Sequence, residues 1–232
     1  MLLPAAMSRS FDSVIFDLDG TLIDSAPGIL QGFAEAFAYC GVTPQAPWSK
    51  SLIGPPLTQT IAQQCGSQDP VLLERIKSTF VDRYDNEGFK LSAPYSGIQT
   101  MLQTLCGTNI KLFIATNKRI HPTQRIMQHL DWASMFEGVY GIDSLVSPPL
   151  PQKRDVIQHI TAHFNLSQAR TLYVGDRYED YQAATSAGLD FALATWGFGD
   201  AEDLVPPNEL RLECADALCA LVLNELGCQR VR

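Results

Sequence analysis

The segment VIFDLDGT at residues 14–21 constrains this chain more than any other feature, because an apolar run leads directly into two carboxylates. Three β-branched or aromatic residues in succession predict a short strand that is buried on both faces, as in the centre of a parallel sheet. Gly20 permits a sharp exit from that strand. Asp17 and Asp19 therefore lie at its carboxyl end, where open α/β sheets bind their ligands.

Two carboxylates at this spacing repel each other unless a cation or a shared proton compensates. Oxygen ligands suit Mg²⁺ better than a softer metal, so the pair is a candidate magnesium site. An isolated DxDGT segment is also compatible with a turn, since Asp and Gly are turn residues. The choice between the two interpretations depends on the rest of the chain.

Strand patterns alternate with helical patterns over much of the remaining sequence. Strands are predicted at residues 14–16, 110–115, 139–140, 171–174 and 191–194, and a final helix at residues 216–226. Short apolar strands separated by helices of about ten residues predict an α/β fold with a doubly wound parallel sheet.

Residues 22–92 interrupt this alternation, because they show helical spacing and no strand pattern. Helices are predicted after Ser25, which is a candidate N-cap, from Leu57, and from Asp69, which is followed by proline. We therefore expect a helical domain at residues 22–92, inserted into an α/β core made of residues 1–21 and 93–232.

Charge and cysteine content narrow the range of partners. The net charge of −8 argues against non-specific nucleic-acid binding, which needs a basic surface, but is compatible with a small anionic substrate. The six cysteines show no metal-binding spacing, which is typical of reduced thiols in a cytoplasmic protein. The apolar piece at residues 2–7 is too short for a signal peptide or a membrane span, and Met7 is an alternative start that would leave a disordered tail. We expect no membrane partner, and a monomer or a homodimer.

Polar residues follow three of the predicted strands, and a lysine begins one helix. These residues are Asp17 and Asp19, Thr116 and Asn117, Asp176, and Lys153. The carboxyl ends of parallel strands share one edge of the sheet, so residues distant in sequence can converge there. Asp180 lies one helical turn beyond Asp176 and near the same face.

Each of these residue types suits phosphoryl transfer. A carboxylate can attack phosphorus and form an acyl phosphate, which divides hydrolysis into two easier steps. A second carboxylate can protonate the leaving oxygen and later accept a proton from water. A hydroxyl, a lysine and backbone N–H groups can stabilise the charge on the phosphoryl oxygens, and Mg²⁺ can screen the nucleophile from the phosphate.

The order DLDGT, TN, K and GDxxxD resembles the haloacid dehalogenase-like superfamily, and more closely its phosphoglycolate phosphatase-like branch. The segments PYSG at residues 94–97 and WGFG at residues 196–199 add to the resemblance, which covers the chain from Ser13 onward. The resemblance implies a Rossmann-like core, with residues 22–92 as a mobile cap that closes over the site and selects the substrate.

The resemblance also implies individual roles. Asp17 would be the nucleophile and Asp19 the general acid and base. The phosphate would be bound by Thr116, Lys153 and Asn117, although the Asn117 side chain could instead cap the following helix. Mg²⁺ would be held by Asp17, the backbone carbonyl of Asp19 and Asp176, with Asp180 in the outer shell.

Two positions depart from the family pattern. Arg154 follows Lys153 where the family often has proline, so Lys118 remains a competitor for the role of the motif lysine. Arg177 stands where a small residue is common, and could face either the phosphate or the surface. His159 and His163 are spaced four apart on a helix without a third ligand, which favours two exposed surface histidines over a metal site.

The predicted function is Mg²⁺-dependent hydrolysis of a small phosphomonoester through an aspartyl-phosphate intermediate. Phosphoglycolate is the first choice of substrate, and a nucleoside monophosphate is the second, because residues 53–57 resemble the cap of nucleotidase-like relatives. A sugar-phosphate phosphatase or mutase is a further alternative. The resemblance also implies that Asp19 disfavours dehalogenation and phosphonate cleavage, because members of the family with those activities lack the second carboxylate. A catalytically silent binding module is disfavoured because neither the nucleophile nor a metal ligand is replaced.

Overall fold

The computed structural model describes residues 10–145, 147, 150–199 and 204–223. Within these residues the strands are β1 (Ser13–Phe16), β2 (Ile23–Asp24), β3 (Ala93–Pro94), β4 (Lys111–Thr116), β5 (Gly138–Gly141), β6 (Thr171–Gly175), β7 (Asp190–Ala194) and β8 (Leu210–Leu212). The helices are α1 (Ala26–Cys40), α2 (Leu57–Cys65), α3 (Pro70–Asn86), α4 (Ile98–Cys106), α5 (Ile120–His129), α6 (Lys153–His163), α7 (Tyr178–Ser186) and α8 (Ala215–Val222).

Six strands form one parallel sheet in the order β5-β4-β1-β6-β7-β8, which confirms the predicted α/β class. Strand β1 is central, because it pairs with β4 on one side and β6 on the other. Its four residues are all buried, as expected for a strand covered on both faces. Phe16 lies in register with Ile114 and Val174, so the residues that follow these three strands meet at one edge.

The helical insertion, residues 26–91, leaves the core through β2 and returns through β3. These two crossings pair as a short antiparallel ribbon, with Ile23 opposite Pro94 and Asp24 opposite Ala93. The sequence predicts no strand in residues 22–92. This prediction was wrong at β2, which lies within that range. The pairing arises because the two crossings lie side by side, and no periodic pattern can report a contact between distant segments.

The interior of the insertion is held by aromatic packing between α1, α3 and the loop before α2. The rings of Trp48, Phe33, Phe80 and Tyr84 form a continuous row, with successive centroids 5.6, 4.6 and 5.5 Å apart. Offset aromatic pairs at these separations stabilise a helix pair beyond the area that they bury. The row ends at Tyr84, next to the core.

Other sequence expectations differ from the structure in detail. Ser25 makes no side-chain cap, and the Asp24 carboxylate instead accepts from the Ala26 backbone N–H at 3.0 Å. Strand β8 was not predicted, because three residues at the sheet edge carry too little pattern. The alternative start at Met7 with its tail, the last residues of the predicted helix 216–226, Pro148 and Pro149, and Cys228 lie outside the described residues.

Candidate active site

Three carboxylates meet beyond the ends of β1 and β6. Asp17, Asp176 and Asp180 each place an oxygen within 4.8 Å of the others, and they are 5%, 1% and 0% exposed. Asp17 follows β1 directly, Asp176 follows β6 directly, and Asp180 comes from the first turn of α7. Parallel pairing of β1 with β6 therefore creates this acid cluster from residues that are more than 150 positions apart.

Asp176 is held on both of its oxygens. The Phe198 backbone N–H donates to Oδ2 at 2.8 Å, and the Thr21 hydroxyl donates to Oδ1 at 3.3 Å. A Cβ atom at Gly197 would lie 2.2 Å from the Asp176 Cβ, and one at Gly20 would lie 2.3 Å from Oδ2. These close approaches give a physical reason for glycine at both positions.

Lys153 supplies the positive charge of the cluster. Its ammonium lies 3.1 Å from Asp17 Oδ1 and 2.5 Å from Asp180 Oδ1. The Tyr173 hydroxyl lies 3.3 Å from the same Asp180 oxygen, and the Arg177 backbone N–H donates to the other at 3.0 Å. Since protein donors hold both oxygens of Asp180, this carboxylate suits an outer-shell role better than direct metal binding.

Burial perturbs the titration of the cluster. Loss of solvent raises the pKa of Asp17 from 3.8 to about 7, with Lys153 opposing this and the neighbouring carboxylates adding to it. Burial and Asp180 raise the pKa of Asp176 to about 6. Burial disfavours the Lys153 ammonium, but Asp17 and Asp180 outweigh it and raise the Lys153 pKa.

The cluster thus has an excess of buried negative charge. A divalent cation with oxygen ligands would relieve this repulsion, so the donor set of Asp17 and Asp176 fits Mg²⁺.

Asp19 is not one of the three carboxylates of the acid cluster and pairs with a different lysine. The Lys118 ammonium lies 3.1 Å from each Asp19 oxygen, and 4.6 Å from the centre of the Tyr84 ring. Burial disfavours the charged form of Lys118, but Asp19 and Tyr84 together outweigh it and raise the Lys118 pKa. The two candidate lysines therefore have separate positions, with Lys153 beside Asp17 and Lys118 between Asp19 and the insertion.

The second strand end carries Thr116 and Asn117, which are both predicted to bind phosphate. Thr116 is buried beside β1, and its hydroxyl accepts from the Lys118 backbone N–H at 3.2 Å. The Asn117 side chain donates to the Gly54 carbonyl of the insertion at 3.2 Å. The Asn117 side chain therefore does not cap the following helix, and its amide joins the core to the insertion.

Arg177 makes a similar contact from the third strand end. Its guanidinium donates to the Lys50 carbonyl at 3.4 Å, and Gly54 approaches so closely that a Cβ atom there would lie 2.5 Å from Arg177 Nε. Lys50 in turn pairs with Asp24 at 3.0 Å. Residues 50–54, which we call the insertion loop, are therefore fastened to the core around the site.

A cavity of about 220 Å³ lies between the strand ends and the insertion. Asp17, Asp19, Thr116, Asn117 and Lys153 all line it. A larger groove of about 1060 Å³ lies between α1 and α3, but no residue of the acid cluster lines it. The smaller cavity is therefore the candidate substrate site.

Sequence reasoning missed two residues that shape this site. Tyr173 is buried next to Asp180, and its hydroxyl lies between the Asp180 carboxylate and the Ala115 carbonyl oxygen, 3.3 and 3.1 Å away. The sequence signal for Tyr173 was its hydroxyl, which stands within an otherwise apolar buried strand. Tyr84 contacts Lys118 from the insertion, and nothing in its helical pattern distinguishes it from a core residue. His159 and His163 lie on α6 with their rings stacked at 5.5 Å; His159 is half-buried, whereas His163 is exposed as predicted.

The fold and the site define a class: an α/β protein with an acid cluster at the strand ends and a helical insertion after the first strand. The sequence profile of the haloacid dehalogenase-like hydrolases matches residues 14–194. The chain belongs to this family, which confirms the resemblance drawn from its motifs.

Curated relatives within the family carry several names. The chain is 32% identical to the tyrosine-protein kinase PtkA of Mycobacterium tuberculosis over 82% of its own length, but spans only 64% of that relative. It is 34% identical to a phosphoglycolate phosphatase of Rhodobacter capsulatus, covering 80% of this chain and 85% of the relative. It is 28% identical to a 5'-nucleotidase of Pseudomonas aeruginosa, covering 89% and 92%.

A solved structure agrees with the fold over nearly the whole chain. The crystal structure of a predicted phosphatase from Clostridium acetobutylicum matches with a TM-score of 0.80 at 25% identity, covering 93% of this chain and all of that one. Among the residues described here, no helix has both the length and the apolar character needed to cross a bilayer.

Proposed function

We propose that this chain is a Mg²⁺-dependent phosphomonoester hydrolase that acts through an aspartyl-phosphate on Asp17. The observation that carries the proposal is the position of Asp17, buried at the centre of the acid cluster beside Lys153 and open to the small cavity. The phosphoglycolate phosphatase and 5'-nucleotidase relatives support a phosphate ester as the substrate.

In the proposed reaction the Asp17 carboxylate attacks phosphorus, and the ester oxygen leaves with a proton from Asp19. Water then attacks the phosphorus of the acyl phosphate and gives a proton to Asp19. The bond between phosphorus and the Asp17 oxygen breaks, which releases inorganic phosphate and restores the Asp17 carboxylate. Asp19 is suited to this part because it lines the cavity but stands outside the acid cluster.

Thr116, Lys153 and backbone N–H groups near Asp17 would bind the phosphoryl oxygens and stabilise their charge in the transition state. Asp17, the Asp19 carbonyl and Asp176 would hold Mg²⁺, with Asp180 fixing Lys153 behind them. When bound, Mg²⁺ would neutralise the cluster and allow the Asp17 carboxylate to approach a phosphate dianion.

Residues 22–92 would act as the cap that covers the site and selects the substrate. The insertion loop and its contacts with Asn117 and Arg177 support this role. Phosphoglycolate and a nucleoside monophosphate are the substrates suggested by the relatives. A cytoplasmic location and a monomeric or dimeric state also stay predictions.

The proposal is tested by phosphate release from p-nitrophenyl phosphate with Mg²⁺ and after chelation. We expect turnover only with the metal. Borohydride quenching during turnover should reduce the acyl phosphate, leaving homoserine at position 17 in the peptide map. Metal-independent turnover, or an unmodified position 17 in an active protein, would contradict the proposal.

A further inference from the structure

One wall of the cavity is apolar, and Thr58, Thr60 and Tyr84 of the insertion line the cavity beside it. The apolar wall is formed by residues of α1, α3 and the insertion loop, namely Ile29, Phe33, Leu52, Ile53 and Phe80. Four of them are buried and Leu52 is half-buried. Phe33 and Phe80 belong to the aromatic row that ends at Tyr84, so this wall is continuous with the interior of the insertion.

The described cations that line the cavity already have carboxylate partners. Lys153 pairs with Asp17 and Asp180, Lys118 with Asp19, Arg119 with Asp85, and Lys77 with Glu74. The pair between Arg119 and Asp85 is bidentate, because two guanidinium nitrogens lie 2.9 and 2.5 Å from the two carboxylate oxygens. Lys77 lies at the exposed rim.

This arrangement disfavours a second negative charge on the substrate. Lys153 has a role at the phosphoryl group, and Lys118 is engaged with the proposed general acid. A carboxylate held inside the cavity, away from Lys77 at the rim, would have to break one of the buried pairs or lose its water against an apolar wall. An unpaired buried charge is strongly unfavourable.

The volume of the cavity favours a small leaving group. Its volume of about 220 Å³ lies below the roughly 300–1,000 Å³ of sites that hold drug-sized ligands. The phosphoryl group must share this volume, so the remaining space suits a group of about one ring.

We propose that the substrate is a phosphomonoester whose leaving group is small, uncharged and apolar, such as a single aromatic ring on a primary alcohol. This inference rests on the proposed phosphatase function and replaces phosphoglycolate, which carries a carboxylate, as the first choice of substrate. The apolar wall selects by contact with such a group and by excluding a charged one.

The test compares benzyl phosphate, phosphoglycolate and adenosine 5'-monophosphate, which are all esters of primary alcohols and so have similar leaving oxygens. We expect kcat/KM for benzyl phosphate to exceed that for the other two by at least tenfold, with most of the difference in KM. Equal or greater kcat/KM for phosphoglycolate or for the nucleotide would overturn the inference. Failure of the protein to hydrolyse any of the three, or p-nitrophenyl phosphate, would instead refute the phosphatase function itself.

A charge placed on the wall should change the preference. Leu52→Arg, at a half-buried position, should raise kcat/KM for phosphoglycolate and lower it for benzyl phosphate. Val71→Arg adds the same charge at an exposed site on α3 that does not line the cavity, and should leave the ranking unchanged. A Leu52→Arg variant that keeps the wild-type melting temperature and the wild-type ranking would contradict the role of the wall. If that variant does not fold, the ranking of the three esters by the wild-type protein decides.

Discussion

Replacing Asp17 with asparagine should abolish turnover and, in the metal-free protein, increase stability. Asparagine preserves the volume of the side chain but can neither attack phosphorus nor carry a charge. Because a nucleophile acts with its partners as one unit, we expect kcat to fall by about 10⁴-fold or more. The increase in stability follows from the burial of Asp17 among two other carboxylates.

The magnitude comes from the pKa of Asp17, which burial raises from 3.8 to about 7. A raised pKa means that the folded protein binds the Asp17 proton more tightly than the unfolded chain does. Binding of this proton therefore stabilises the folded state fully below pH 4, and the stabilisation is lost as pH rises through about 7. At ~1.4 kcal/mol per pH unit the full difference is roughly 4 kcal/mol, part of which is shared with Asp176. For a chain of this size that corresponds to a melting temperature roughly 5–10 °C higher for Asp17→Asn at pH 8.

The assay is thermal unfolding of both proteins in chelator at pH 5 and at pH 8, followed by the same scans with Mg²⁺. We expect the difference in melting temperature between Asp17→Asn and wild type to be large at pH 8 and less than half as large at pH 5, where the Asp17 carboxyl is ionised in the unfolded chain but not in the folded protein. Mg²⁺ should stabilise the wild type more than the variant at pH 8. Glu137→Gln removes one exposed negative charge and serves as the control. An Asp17→Asn protein that is less stable than wild type at pH 8 would refute the reasoning.

Three further predictions concern the neighbours of Asp17. Lys153→Ala should weaken inhibition by inorganic phosphate more than Lys118→Ala does, because Lys153 lies beside the nucleophile; a larger effect at Lys118 would reverse the assignment. Asp176→Asn should raise the Mg²⁺ concentration for half-maximal activity by about tenfold or more, and Asp180→Asn should raise it by a smaller factor. If the metal titrations of both variants overlay that of the wild type, the metal is bound elsewhere. Arg177→Ala should raise KM severalfold with little change in kcat, because it releases the insertion loop. Arg177→Lys should lower KM part of the way back. An unchanged KM for Arg177→Ala would exclude this contact from substrate binding.

The sequence alone determined the class of fold and the residues that converge at the site. The apolar run before Asp17 and the alternation of strands and helices are local patterns, and burial on both faces of a strand leaves a clear record in composition. Parallel strands share one carboxyl edge, so the positions of Asp17, Thr116 and Asp176 followed from strand assignment alone.

Only the tertiary structure decided how the two lysines are divided, what Asn117 and Arg177 contact, and what faces the substrate. All of these contacts depend on how the insertion lies against the core. Side chains from α1 and α3 follow the same helical spacing whether they fill a core or line a cavity. The apolar wall of the cavity therefore resembles ordinary core in the sequence. The insertion is joined to the core by the ribbon of β2 and β3 and by the insertion loop, whose contacts join residues far apart in the chain.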